Sequence, residues 1–287
     1  MRDISFGQYY PTNSIIHRLD ARIKLIITIL YMVSIFFVVS YTAYMVIFLG
    51  LITITLVSRI PVKTLFRSVK AILLILFFTS MLNLFFFKDG KVLCEWWIFR
   101  ITDRGIDFAV KMILRLALLV MGSSLLTFTT TPTELTDAIE YLLAPLKLVK
   151  VPVHDIALIM SIALRFIPGL IDETDKIMMA QKARGANLDT GNFFQRIKAM
   201  LPILIPLLVG AFRHADELAD ALDARCYSAS PKRTKMKVFH LTFKDFVAMF
   251  LMIALTVLIM LEKYLVGGSG FFVGMDRIIL ACFGIQY

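Results

Sequence analysis

The run from Leu25 to Val57 contains no Asp, Glu, Lys, Arg or His. At about 1.5 Å per residue, one helix of that length would reach roughly 50 Å, far beyond a hydrocarbon core of about 30 Å. The run therefore reads as two short helices packed as a hairpin, turning at the polar patch Ser40-Tyr41-Thr42. The rest of the chain agrees with a lipid environment. Its 287 residues are 59% apolar and 18% charged, against roughly 45–50% and about 25% in soluble domains. A single soluble core has no use for that much apolar surface, so the excess must face lipid or other subunits.

Further apolar runs follow. Ala71 to Phe87 is uncharged, Ile106 to Phe128 holds Lys111 and Arg115 in its first half, and Phe246 to Leu261 is the last clear run. Lys111 and Arg115 have stems long enough to snorkel to a headgroup. Phe271 to Tyr287 is interrupted by Asp276-Arg277 and is short for a span. The polar start MRDISFGQYYPTNS leaves the first apolar segment to act as its own insertion signal.

Charge orients these segments. Residues 1–24 carry Arg2, Arg18, Arg22 and Lys24 against two acids, and the Tyr41 region carries no charge. The next loop holds Arg59, Lys63, Arg67 and Lys70 with no acid, while Lys88 to Arg104 is nearly balanced. Basic, empty, basic, balanced is the alternation of a cytoplasmic N-terminus followed by four crossings. The formal net charge of +10 is thus topology rather than a nucleic-acid surface. The expected architecture is all-α and polytopic, with about five transmembrane helices. Residues 1–130 would hold four of them, residues 131–240 a cytoplasmic insert, and residues 241–287 the last helix and a tail.

The insert has 14 Lys+Arg and 12 Asp+Glu, unlike the spans. Thr131-Pro132-Thr133-Glu134 predicts a capped helix start, with Pro145 and Pro152 bracketing its end. A second helical pattern from Val153 to Phe166 is expected to break at Pro168-Gly169, and Asp172-Glu173-Thr174-Asp175 to open another ending at Gly185. Ile197 to Phe212 is apolar but short for a crossing, and it contains Pro202 and Pro206. It suits the membrane interface, or a place beneath the spans, better than a crossing. Arg213 to Arg225 continues as a charged helix, stopped at Ser230-Pro231, and the basic run Lys232-Arg233-Lys235-Lys237 precedes re-entry into the bilayer.

Chemistry-bearing motifs are scarce. Cys94, Cys226 and Cys282 form neither a disulfide framework nor a metal pattern. His17, His154, His214 and His240 are dispersed, with polar helix-end roles expected for them. No phosphate-cradling glycine loop is present, and the uncharged runs hold no acid to relay protons. A self-contained permease would want internal repeats or interrupted half-helices, and a membrane-embedded enzyme acting on lipids would want paired acids or a His/Asp cluster. Neither set is found.

One pattern recurs. Gln181-Lys182-Ala183-Arg184-Gly185-Ala186 and Ala221-Leu222-Asp223-Ala224-Arg225-Cys226-Tyr227 each place an Arg between small residues at a helix end. An Arg beside a helix C-terminus is ordinarily a dipole complement worth about 0.3–1 kcal/mol. Two of them, flanked by residues that allow close approach, suggest docking of two similar partners through a multi-donor guanidinium fork.

With its opening Gly7-Gln8-Tyr9, Ser14 and His17-Arg18-Leu19-Asp20-Ala21-Arg22-Ile23-Lys24-Leu25, the chain resembles the T component of energy-coupling factor transporters. Ala183-Arg184-Gly185 matches that family's Ala-Arg-Gly motif fully, and Ala224-Arg225-Cys226 departs at its third residue, where Cys suits a left-handed turn poorly. The resemblance implies a non-enzymatic scaffold in the plasma membrane for vitamin or micronutrient uptake. Two cytoplasmic ATP-binding-cassette ATPases would dock at Ala183, Arg184, Gly185, Ala224, Arg225 and Cys226. A substrate-capturing S component would lie against the apolar surface that includes Ile203, Leu204, Leu207 and Leu208, and against faces of Val153–Phe166. Met and Phe, 15 and 24 in number, suit an adaptable interface. No cofactor is expected on this chain, ATP and Mg being held by the ATPases.

Overall fold

The computed structural model describes residues 9–86, 92–96, 99–149, 151–186, 193–227 and 241–265. Their contacts define two compact units, residues 9–142 with 241–265 and residues 143–227. The first unit holds α1 (Ala21–Ile35), α2 (Tyr41–Val57), α3 (Val62–Phe86), α4 (Asp103–Thr129), α5 (Pro132–Leu142) and α8 (Phe243–Leu265). The second holds a 3₁₀ turn (Ala144–Val149), α6 (Val153–Ala183) and α7 (Phe193–Ala224). The architecture is all-α, as expected, with one small addition. Strands β1 (Val92–Trp96) and β2 (Phe99–Thr102) pair antiparallel, Glu95 opposite Arg100 and Trp96 opposite Phe99.

The charge-free run does turn, at residues 36–40. Asp20 caps α1 by accepting the Arg22 N–H at 2.9 Å. α2 ends where Arg59 takes a φ of 56° and the Ile60 N–H reaches the Thr55 carbonyl at 3.3 Å, just before Pro61. At 15 and 17 residues the two helices are about 22 and 26 Å long. They do not form the packed hairpin anticipated. α1 lies against α4, α5 and α8, whereas α2 lies against α4 and, more lightly, α3. Between them opens an apolar cleft of about 330 Å³, walled by Ile27, Tyr31, Leu51, Leu125 and Leu255 among others. α4 is the central post: Leu118, Met121, Leu125 and Phe128 join Tyr31, Ile35, Ile47, Leu65 and Ile259 in one buried cluster. The Tyr31 hydroxyl donates to the Leu118 carbonyl at 2.7 Å. Its ring can cross α4 there because residue 122 is Gly, where a Cβ would stand 2.1 Å from a ring carbon.

α3 begins earlier than its apolar run. Lys63, Arg67 and Lys70, expected in a loop, lie on the helix at positions i, i+4 and i+7, one stripe of its surface. The helix bends by 52° between Val62–Lys70 and Ile72–Leu82, so the basic and apolar stretches point in different directions. α5 starts as its sequence predicts, with a reciprocal capping box: Thr131 Oγ1 accepts the Glu134 N–H at 3.3 Å, and Glu134 Oε2 accepts the Thr131 N–H at 3.4 Å. Pro132 occupies the first helical position.

At one end of this unit the N-terminal motif gathers the helix ends. The Tyr10 N–H bonds the Phe128 carbonyl at 3.0 Å, and Thr12 Oγ1 donates to the Ser58 carbonyl at 3.0 Å. Lys24 Nζ donates to the carbonyls of His17 and Thr129 at 3.0 and 2.9 Å. Asp245, only 2% exposed, accepts the Asp20 N–H on Oδ1 at 3.0 Å and the Thr242 N–H on Oδ2 at 2.7 Å. The Arg22 guanidinium lies 3.6 Å from the Tyr141 ring centroid and ties in α5. The start of α1, the ends of α2, α4 and α5, and the start of α8 are thus fastened together. Gly7 and Gln8 of the motif, Lys232–Lys237 and Phe271–Tyr287 lie outside the described residues.

The opposite end corrects the expectation for α4. Lys111 and Arg115 are turned inward rather than snorkelling. Lys111 pairs with Asp107 at 2.8 Å, Asp107 also accepts the Tyr41 hydroxyl, and Arg115 donates to the Val38 carbonyl at 3.1 Å. These charges close the turn between α1 and α2 against α4.

Removing the Asp245 carboxylate leaves two inward N–H groups without an acceptor, so Asp245→Ala should lower stability by about 2–4 kcal/mol, read as a fall in the detergent melting temperature. His17 adds a pH dependence. Burial first, and the Lys24 ammonium second, hold its imidazole below the usual value. The unfolded chain therefore takes up a proton that the folded one resists. Its contribution is full above about pH 6.5 and is lost on acidification. The melting temperature should fall between pH 7.5 and 5.5, and His17→Gln should flatten that fall.

Candidate partner-docking site

Both arginine triplets end long helices, and both ends have the same backbone. At the first, the Ala186 N–H reaches back to the Gln181 carbonyl at 3.0 Å and the Gly185 N–H to Lys182 at 3.0 Å. At the second, the Tyr227 N–H reaches Leu222 at 2.9 Å and the Cys226 N–H reaches Asp223 at 2.9 Å. Each is a Schellman motif, satisfying carbonyls that the helix end leaves open. It needs one left-handed residue, and these are Gly185 at φ 88° and Cys226 at φ 54°. The Cys-for-Gly departure therefore does not change the cap. Arg184 and Arg225 hold equivalent C-cap positions, and both side chains are exposed. Ala183, Gly185, Ala224 and Cys226 around them are exposed as well.

The helices leading to these ends are longer than the sequence suggested. Val153–Ala183 is one helix with Pro168 inside it, so neither the expected break at Pro168-Gly169 nor a new start at Asp172 is seen. Phe193–Ala224 likewise runs unbroken through Pro202 and Pro206. An interior proline removes one backbone bond and kinks the helix. Ending the helix there would expose several more polar groups in an apolar stretch, at greater cost.

α6 and α7 pack antiparallel. As the α6 partner advances from Phe166 to Glu173 to Gln181, its α7 partner retreats from His214 to Gly210 to Pro202. The two C-termini therefore lie at opposite ends of the hairpin. Gln181 faces Pro202, and α7 runs on from Pro202 to Ala224 before reaching its arginine. At about 1.5 Å per residue this puts the arginine ends roughly 35–40 Å apart.

The hairpin has almost no core of its own. Among its described residues Val153 is the only buried apolar side chain. Leu204 and Leu208 are exposed and Ile203 and Leu207 partly so, within a surface that includes Ile205, Val209 and Phe212. By length and composition α4, α6, α7 and α8 could each cross a membrane, and bent α3 makes a fifth. The pairing argues against α6 and α7 doing so. The apolar half of α7, Ile197–Phe212, faces the half of α6 that carries Asp172, Glu173, Asp175 and Lys176. The apolar half of α6 faces the half of α7 that carries Arg213, Asp216, Glu217 and Asp220. At every depth one helix would bring charges into lipid, at about 2.5–3.5 kcal/mol each. The hairpin is built to lie along a surface.

The residues that hold the pair together were not legible as a site. Glu173 reads as a helix-start acid and His214 as a dispersed polar residue, yet they meet at 3.7 Å across Gly210. Among the described residues no group of three or more His, Cys, Asp or Glu could hold a metal ion.

Residues 12–236 match the family described as cobalt transport protein. Among curated proteins, the energy-coupling factor transporter transmembrane protein EcfT of Ruminiclostridium cellulolyticum is 51% identical over 245 residues, covering 85% of this chain and 91% of that one. The proteins of the same name from Clostridium kluyveri and Acidaminococcus fermentans are each 45% identical, over 86% and 90% of this chain and 92% and 96% of theirs.

The cap geometry has a direct test. Gly185→Ala should destabilise the end of α6 by about 1 kcal/mol and Cys226→Gly should stabilise the end of α7 by a similar amount. Hydrogen exchange at the Ala186 and Tyr227 amides should become severalfold faster in the first variant and severalfold slower in the second.

Proposed function

This chain belongs to the family of energy-coupling factor transporter transmembrane proteins, and we propose that it is the scaffold through which ATP hydrolysis on partner subunits drives vitamin or micronutrient uptake. The observation that carries this reading is the pair of matching arginine caps at opposite ends of a hairpin with almost no core. Each cap offers an exposed guanidinium, able to fork onto a carboxylate or carbonyl of a docking ATPase. Two equivalent ends suit two homologous ATPases.

The remaining surface suits the other partner. The apolar stretch with Ile203, Leu204, Leu207 and Leu208 is too exposed to face water and too charged on its partner helix to cross lipid. An S component laid against it would bury it, together with faces of Val153–Phe166. The hairpin then lies along the cytoplasmic side of the plasma membrane. ATP and Mg are held by the ATPases and the substrate by the S component, so this chain contributes geometry rather than a reacting group.

Co-expression with the ATPase pair, followed by detergent capture on this chain, tests the assignment. Arg184→Glu and Arg225→Glu should each weaken capture about 10–100-fold, the loss of a charge-assisted contact worth about 1.5–3 kcal/mol, and the double variant should abolish it. Undiminished capture by a properly inserted double variant would remove the arginines from the interface.

A further inference from the structure

The two arginine ends are useful as a pair only if their spacing is held, and little in the hairpin holds it. Along most of its length α6 and α7 leave their side chains exposed. Besides the Gln181–Pro202 bond nearer the end of α6, a cluster of contacts lies mid-hairpin. Residue 210 is Gly, and a Cβ there would come 2.6 Å from Glu173 Oε1, so α7 approaches α6 closely enough for the carboxylate to lie over its backbone. One turn on, His214 Nε2 stands 3.7 Å from Glu173 Oε2, and its Nδ1 stands 3.5 Å from Glu217 Oε2 on its own helix. The imidazole also stacks on Phe166, with centroids 6.3 Å apart and planes inclined by 30°. His214 thus contacts α6 two turns apart, at Phe166 and Glu173. Those two contacts tie α7 to α6 at two heights, and the missing Cβ leaves the Glu173 carboxylate its place over the α7 backbone.

We propose that Glu173 and His214, meeting across Gly210, are positioning residues that lock the register of α6 on α7 and so hold Arg184 and Arg225 at a set separation while partner subunits move. The lock rests on the docking reading above for its consequence, but not for its geometry. It touches neither arginine. Its loss leaves each end able to bind an ATPase while uncoupling movement at one end from the other.

The test uses the full complex of this chain, two ATPases and an S component. Spin labels go on Lys182→Cys and Asp223→Cys, in a background with Cys94, Cys226 and Cys282 replaced by Ser. In the unaltered register the label-to-label distance should be a single narrow distribution at roughly 35–40 Å, the separation set by helical rise. Gly210→Leu, and the double change Glu173→Ala with His214→Ala, should broaden it or shift it by about 5 Å, one helical turn. ATPase capture should stay within twofold of wild type in both variants. Uptake of a tritiated vitamin matched to the S component supplied, per ATP hydrolysed, should fall at least fivefold. His214→Lys, which can still pair with Glu173, should keep most of that ratio. An unchanged distance distribution, or an unchanged ratio, overturns the lock while the docking reading stands. Loss of ATPase capture in Gly210→Leu also overturns it, since the contact would then serve folding alone. Failure of the wild-type chain to capture ATPases would sink the docking reading instead, with the distance measurement still deciding the register.

Discussion

A buried carboxylate organises the membrane unit. Asp245 begins α8 and receives the N–H of Asp20, 225 positions earlier, together with the N–H of Thr242 in its own cap. Burying an ionised acid is costly unless it is fully hydrogen-bonded, so the start of α8 is held where both donors are. Lys24 does the same for the end of α4, with its ammonium on two carbonyls. Between them these groups draw together helix ends that short, featureless apolar helices could not position alone. Apolar packing is nearly blind to rotation and sliding, whereas a directed bond is not. The segment from Tyr10 to Lys24 thus acquires a physical meaning, as the strap that fastens five helix ends.

The second unit depends on the opposite circumstance. Its helices are long and almost uncovered, and a soluble hairpin with one buried apolar side chain among its described residues would not hold its shape. In the proposed role, partners laid on it would supply that stability, and a surface completed by partners moves when the partners move. The Schellman ends, by contrast, are complete in themselves, and they present arginines whose backbone positions do not need a partner to form.

Much of this was legible in sequence. The Thr131 capping box, the central helix from Ile106 and the last one near Phe246 all carry strong local signals, and each appears where expected. The charge-free run divides into two helices, but turns at residues 36–40 and without the packed hairpin. The repeated arginine ends were legible because their flanking residues recur. Pro168, Pro202 and Pro206 misled because a proline marks a lost bond, not an ended helix, and an apolar setting favours the kink over the break. Lys63, Arg67 and Lys70 read as a loop by charge alone, although their spacing is helical. Asp245 with Asp20, and Glu173 with His214, were invisible for a different reason: a contact between distant positions leaves no local pattern, and Gly210 looked like one more small residue in an apolar stretch.

In the proposed role this chain transmits work and performs none. Reconstitution in proteoliposomes tests it most directly, comparing the chain alone with the chain joined by two ATPases and an S component, under ATP and a labelled vitamin cargo. The expected result is no uptake and no hydrolysis by the chain alone, and ATP-dependent uptake only when every partner is present. Uptake by the chain alone would contradict it and make the spanning helices themselves the transport path.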